Sequence, residues 1–162
     1  MLSVSEYRVP KRELPAEVTL WGQPPSRVSL FLSARAGRDS GFERPSELLN
    51  GPGAFLPVTR TEGEFSLFRR DAVLFVTVPA AEELGGERPL PEEFPSEEVH
   101  STLVELTLEG GPSIRGWIRY LRPDNRSRLV DFLNEPERFL IVRAEELVHL
   151  VNKNRIVAVS IL

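Results

Sequence analysis

One stretch of this 162-residue chain occurs twice, and that repetition constrains the fold more than any other feature. Leu133-Asn-Glu-Pro-Glu-Arg-Phe-Leu-Ile-Val142 lies over Leu49-Asn-Gly-Pro-Gly-Ala-Phe-Leu-Pro-Val58 at a spacing of 84 residues. After a one-residue deletion the match continues, with the apolar positions of Phe65–Val78 in step with those of Val148–Ile161. Upstream, Val18-Thr-Leu-Trp-Gly22 lies over Leu106-Thr-Leu-Glu-Gly110. Self-similarity at a fixed period marks a supersecondary unit that has been copied, so the chain reads as one unit present twice.

Units of about 65 to 80 residues bury only about 60% of the surface their unfolded chains expose. The two are therefore expected to pack on each other or on a partner. An apolar content of 41% with 27% charged residues suits a globular chain rather than a disordered one. No apolar run approaches the roughly 20 residues of a membrane span, and Met1-Leu-Ser-Val-Ser-Glu-Tyr-Arg8 lacks a basic region followed by an apolar core. A cytoplasmic protein without a membrane partner is expected. With no cysteine, disulfides, thiolate zinc sites and cysteine nucleophiles are excluded.

The net charge of −4 arises almost wholly between residues 80 and 96, where one basic residue faces five acidic ones. Residues 1–79 carry ten basic and nine acidic side chains and residues 97–162 nine and ten, so neither unit has the basic excess of a general nucleic-acid binder. The acidic stretch also concentrates proline and glycine, which predicts a semi-rigid linker. The organisation that follows is a first unit over 1–79 with an irregular lead-in, a linker over 80–96 and a second unit over 97–162.

Alternating apolar residues bounded by turn signals predict five strands per unit. In the first they are Val18–Trp21, Val28–Ser33, Phe55–Val58, Phe65–Phe68 and Val73–Val78. Pro45-Ser-Glu-Leu-Leu-Asn50 is a short helix between strands two and three, with Pro at its start and Asn-Gly-Pro-Gly at its end. The second unit repeats the plan with Leu103–Leu108, Arg115–Leu121, a helix over Arg128–Leu133 with Ser127 as N-cap, Phe139–Val142, Leu147–Val151 and Ile156–Ile161. Asn152-Lys-Asn154 reads as a hairpin turn. Helix propensity favours Ala144–Leu150, but the register shared with Phe65–Phe68 overrules it in favour of a strand.

Five short strands and one small helix in each unit predict a mainly β protein of two tandem SH3-like or Sm-like small barrels. At residue level the second unit resembles the Sm family through Val104-x-Leu106-x-Leu108-x-Gly110, Gly116-Trp-Ile118 and the pair Asp131 and Asn134. It is more similar still to bacterial domains of unknown function that carry Arg-x-x-Asp-x-Leu-Asn and Phe-Leu-x-Val between Sm-type strands. Here these are Arg128-Leu-Val-Asp131-Phe-Leu133-Asn134 and Phe139-Leu140-Ile-Val142. The second Sm motif places Arg-Gly before the last strand, where this chain has Asn152-Lys153 and Arg69-Arg70. The RNA-binding mode of Sm proteins is therefore not carried over.

The candidate site residues follow from the repeat. Asn50 and Asn134 close the short helices and are expected to be structural C-caps, since Asn tolerates the left-handed conformation and its amide can satisfy loop carbonyls. Asp131, with Glu47 near the equivalent place, is expected to order helix and loop. Arg35 and Arg38 echo Arg119 and Arg122, and with Arg126 and Arg128 they form Arg-rich loops that could hold an anion or a partner's carboxylates. Trp21, Trp117 and Tyr120 are expected in core or inter-unit packing. His100 and His149 have no partner at metal-ligand spacing, so no metal is expected. No phosphate loop or catalytic motif occurs, and neither catalytic nor cofactor-binding residues are assigned. The expected role is a non-enzymatic interaction or regulatory module, an intramolecular pseudo-dimer whose partner is another protein or a second copy. RNA or nucleotide binding through the Arg loops is the alternative.

Overall fold

Side chains that alternate between apolar and polar bury one face of a strand and solvate the other, and most of this chain is written that way. The structure, a computed structural model, describes residues 10–34, 41–85, 99–121 and 129–162. Its first half contains β1 (Lys11–Leu20), β2 (Ser26–Ser33), helix α1 (Pro45–Leu49), β3 (Phe55–Arg60), β4 (Phe65–Arg69) and β5 (Val73–Pro79). Helix α2 (Ala80–Leu84) follows. The second half contains β6 (Val99–Leu108), β7 (Ser113–Leu121), helix α3 (Leu129–Leu133), β8 (Phe139–Ala144), β9 (Leu147–Asn152) and β10 (Ile156–Ile161). No described helix is long and apolar enough to cross a membrane.

All ten strands form one antiparallel sheet in the order β10-β6-β7-β8-β9-β5-β1-β2-β3-β4. The fold is mainly β, as the alternation implies, but the sheet is not closed, and two separate five-stranded barrels do not describe its pairing. The reason is at its middle, where β5 pairs with β9 and joins the halves into one ladder. Within each half the strands run in the same spatial order: fifth, first, second, third, fourth. Details match as well. The pairing of β1 with β5 shifts register between Thr19 and Leu20, and that of β10 with β6 shifts between Ile156 and Ala158, opposite the matching residues Leu108 and Thr107. A 3-10 turn, Arg70–Ala72 or Lys153–Arg155, precedes the last strand of each half.

These turns correct one expectation. Asn152-Lys-Asn154 does not close a hairpin, because β9 pairs with β8 and β5 while β10 pairs with β6. The lead-in is corrected too. Lys11–Pro15 belongs to β1, with Lys11 opposite Ser33 and Pro15 opposite Ser29. β5 reaches only as far as Glu17, so Pro15 lies where β1 has one neighbour and a missing N–H breaks no ladder. The acidic linker begins as helix α2, and Glu83 in it is buried, not solvated.

Among the described residues two apolar clusters form, and each borrows from the other half. Leu14, Val18, Leu30, Leu32, Leu49, Leu56 and Val58 pack with Val76, Val78 and, from the second half, Phe139, Val148 and Leu150. Val104, Leu106, Leu108, Ile118 and Val142 pack with Val151 and, from the first half, Leu74. β7 approaches β8 closely at Gly116, where a Cβ would lie 2.6 Å from Val142 Cγ1 and 2.7 Å from the Arg143 carbonyl oxygen. Gly116→Ala is expected to lower the unfolding free energy by about 1–3 kcal/mol through overpacking, measured by urea denaturation.

Candidate functional site

The two halves of the molecule meet at a buried seam. β5 and β9 run antiparallel with Phe75 opposite Val151, Val76 opposite Leu150, Thr77 opposite His149 and Val78 opposite Val148. Alternation sends Val148 and Leu150 into the first cluster and Val151 into the second, so one ladder closes both. Thr77 Oγ1 lies 2.8 Å from His149 Nδ1, and the ring meets Phe75 edge to face at 5.9 Å. Burial holds His149 below the usual histidine range, with Glu17 opposing the shift.

Polar clasps flank the ladder. Asn50 accepts a hydrogen bond from the Phe139 N–H at 2.7 Å and returns one from Nδ2 to the Phe139 carbonyl at 3.4 Å. Asn152, fully buried, donates from Nδ2 to the Val73 carbonyl at 3.0 Å and accepts from the Asn154 N–H. Arg155 donates to the Asp71 carbonyl at 2.7 Å and pairs with the Asp71 carboxylate at 3.0 Å and with Glu109 at 2.9 Å. Its guanidinium also lies over the Trp21 ring, 5.5 Å from the centroid. On the other side the Ala80 N–H reaches the Glu146 carbonyl at 2.7 Å. Glu83 accepts from both the N–H and the hydroxyl of Ser46, and burial pushes its carboxyl up while those bonds pull it back.

A buried cation, Arg70, organises the chain between α1 and β3. Arg70 Nη1 donates to the carbonyls of Pro52, Gly53 and Phe55 at 2.9, 2.8 and 3.1 Å, and Nη2 to that of Leu48 at 3.2 Å. A guanidinium offers five donors in a fixed plane, which suits a ring of backbone acceptors. Lys153 holds the equivalent place and donates to the Glu135 carbonyl.

Of the residues singled out from sequence, Asn50 is repositioned. It does close α1, but with φ −83° and ψ 0° it is right-handed, and its amide serves a strand of the other half instead of its own loop. Asn134 closes α3 in the same way, its N–H bonded to the Val130 carbonyl at 3.0 Å as that of Asn50 is to Ser46 at 2.9 Å, and its side chain is exposed. Asp131 stands exposed in the first turn of α3. Arg119 is half-buried on β7 opposite Ser101, near enough to Arg143 to disfavour the charge there. Arg35, Arg38, Arg122, Arg126 and Arg128 lie outside the described residues, as does Ser127. Trp21 and Trp117 are about half exposed, so neither is a core residue, although Trp21 does pack across the seam on Arg155. Tyr120 stacks between His100 and Phe132 against the second cluster. Arg70, Asn152 and Arg155 were not among the candidates. The signal that marks them in the sequence is their place just before the last strand of each half.

The ends of the sheet are the other notable surfaces. β4 pairs only with β3 and β10 only with β6 among the described residues, and Phe65, Leu67, Val157 and Ile161 are exposed along them. No protein-family model, curated protein or solved structure matches the chain.

Asn50→Ala would leave the buried Phe139 N–H without its acceptor. It is expected to lower stability by about 1–3 kcal/mol in urea denaturation, where loss of a simple helix cap at an exposed site would have a smaller effect. Because the folded state disfavours the charged imidazole of His149, the unfolded chain takes up more protons as pH falls below the ordinary value of 6.5. Stability should be unaffected by this group above that pH and decline below it. In His149→Gln, thermal denaturation between pH 5 and 7 should show a flatter dependence (about the span over which histidine titrates).

Proposed function

We propose that this chain is a non-enzymatic protein-interaction module that joins partners by adding strands to its two free sheet edges. In this reading it is an intramolecular pseudo-dimer of two Sm/SH3-like units, made from one ancestral unit by duplication. The shared strand order, the matching register shifts and the 3-10 turn before each last strand support the duplication.

The observation that carries the interaction role is the state of β4 and β10. Strands at sheet edges expose unpaired N–H and C=O groups that template pairing with another chain, and stable monomers blunt them with charge, proline or a covering element. β10 reads Ile156-Val-Ala-Val-Ser-Ile161 without one charge or proline, and β4 presents Phe65 and Leu67 outward. Main-chain bonding at such an edge supplies affinity, and alternate side chains supply choice. This role requires no catalytic group, and it gives the apolar ends a purpose that a solvated surface does not.

The test is a variant with lysine on both edges: Phe65→Lys, Leu67→Lys, Val157→Lys and Ile161→Lys, all at exposed positions. The wild type should run in light scattering above the 18.3 kDa of one chain, or hold a second polypeptide through purification, and the variant should run as one folded chain. A wild type that is a lone chain and captures no polypeptide defeats the reading. So does a partner that the variant keeps but that leaves between about 50 and 200 mM salt, which would be the signature of phosphate contacts by arginine.

A further inference from the structure

The seam between β5 and β9 is a junction between two like units, and its two sides occur a second time in the same molecule. By the repeat, β10 is the counterpart of β5, and β4 is the counterpart of β9. Both counterparts are edge strands among the described residues. The side chains that the seam buries are therefore repeated at the ends of the sheet, where nothing among the described residues covers them. Val148 and Leu150 are 0% exposed in the seam, whereas their counterparts Phe65 and Leu67 are 64% and 59% exposed. Val78 is 1% exposed, and its counterpart Ile161 is 68% exposed. Phe139 and Leu74 are likewise buried, whereas Phe55 and Val157 stand out in solvent.

We propose that a second copy of this chain is the occupant of these edges, with β10 of one copy paired to β4 of the next in the register of the internal seam. This rests on the interaction reading above and names the partner within it. Transferring the register places Val159 opposite Leu67, Ser160 opposite Ser66 and Ile161 opposite Phe65, as Val76, Thr77 and Val78 stand opposite Leu150, His149 and Val148. Phe55, Phe65 and Leu67 of one copy then enter the second cluster of its neighbour, as Phe139, Val148 and Leu150 enter the first cluster here.

Two further features fit a copy better than an unrelated strand. Asn134 occupies the place of Asn50, exposed at the end of α3 with the same backbone bond, and would clasp the neighbour's Phe55 as Asn50 clasps Phe139. Helix α1 contributes Pro45, Ser46 and Leu49 to the interior beside the seam, whereas α3 at the free end buries no residue. The sharpest departure is at Arg155, whose counterpart is Ala72, so the ion pair with Asp71 has no equivalent between copies. A head-to-tail contact of this kind is heterologous and generates a ring where the rotation closes and a filament where it does not.

Two variants separate the possibilities. One carries Phe65→Lys and Leu67→Lys and keeps only β10 free; the other carries Val157→Lys and Ile161→Lys and keeps only β4 free. Each alone should run in light scattering as a single chain, and their mixture should run as a one-to-one dimer. In a chain without cysteine, Ser160→Cys on the first and Ser66→Cys on the second should then give a disulfide dimer on mild oxidation, only when mixed. Asn134→Ala on the first should weaken the mixed dimer about tenfold. A mixture that stays monomeric overturns the proposal, and so does either variant dimerising alone, which would mean like edges pairing. The interaction reading survives that failure if either edge still captures a foreign polypeptide, and falls with it if neither does.

Discussion

The ladder between β5 and β9 is the interaction on which the rest depends. Neither half has enough chain to enclose an apolar centre well, because small units leave a large share of their surface exposed. Pairing the fifth strand of one half with the fourth of the other removes two raw edges and lets each half complete its neighbour's interior. Phe139, Val148 and Leu150 fill the first cluster from outside, and Leu74 returns the contact in the second. The halves are therefore interdependent in packing as well as joined by backbone hydrogen bonds.

Around the ladder, charged and amide side chains meet backbone groups that the strands cannot satisfy among themselves. Buried N–H and C=O groups must find partners, and at the seam those partners come from the opposite half. Asn50 serves Phe139, Asn152 serves Val73 and Arg155 serves Asp71. Arg70 does the same within its own half, tying four carbonyls between the end of α1 and the start of β3 to the end of β4. Each of these residues sits at the end of a strand or helix, where regular pairing stops.

Much of the strand pattern was legible because a period of two residues is a local property, and each strand could be compared with a similar stretch in the other half. Leu147–Asn152 is the clearest instance, a segment with helix-forming residues that the register of Phe65–Phe68 assigned to a strand. The first residues of β1 were not legible. Lys11, Arg12, Glu13 and Pro15 look like a solvated lead-in, and they are a strand because β2 offers a partner along their whole length. The buried Glu83 was hidden in the same way: in an acidic stretch it looks like solvent-facing charge, and only the approach of Ser46 from another element provides its hydrogen bonds. For the candidate site, Asn50 and Asn134 stood out in sequence but their partner did not, since Phe139 is 89 residues from Asn50.

The sequence by itself determined a mainly β chain, the identity of nearly every strand, and the correspondence of one half to the other. It could do so because side-chain alternation and repetition are written along the chain. Which strand meets which across the middle was decided only in three dimensions. Edge pairing is made by backbone groups common to all residues, so β5 and β10 are nearly equivalent in what they offer, as are β4 and β9. A single open sheet can join one such pair within itself, and it leaves the other pair at its two ends.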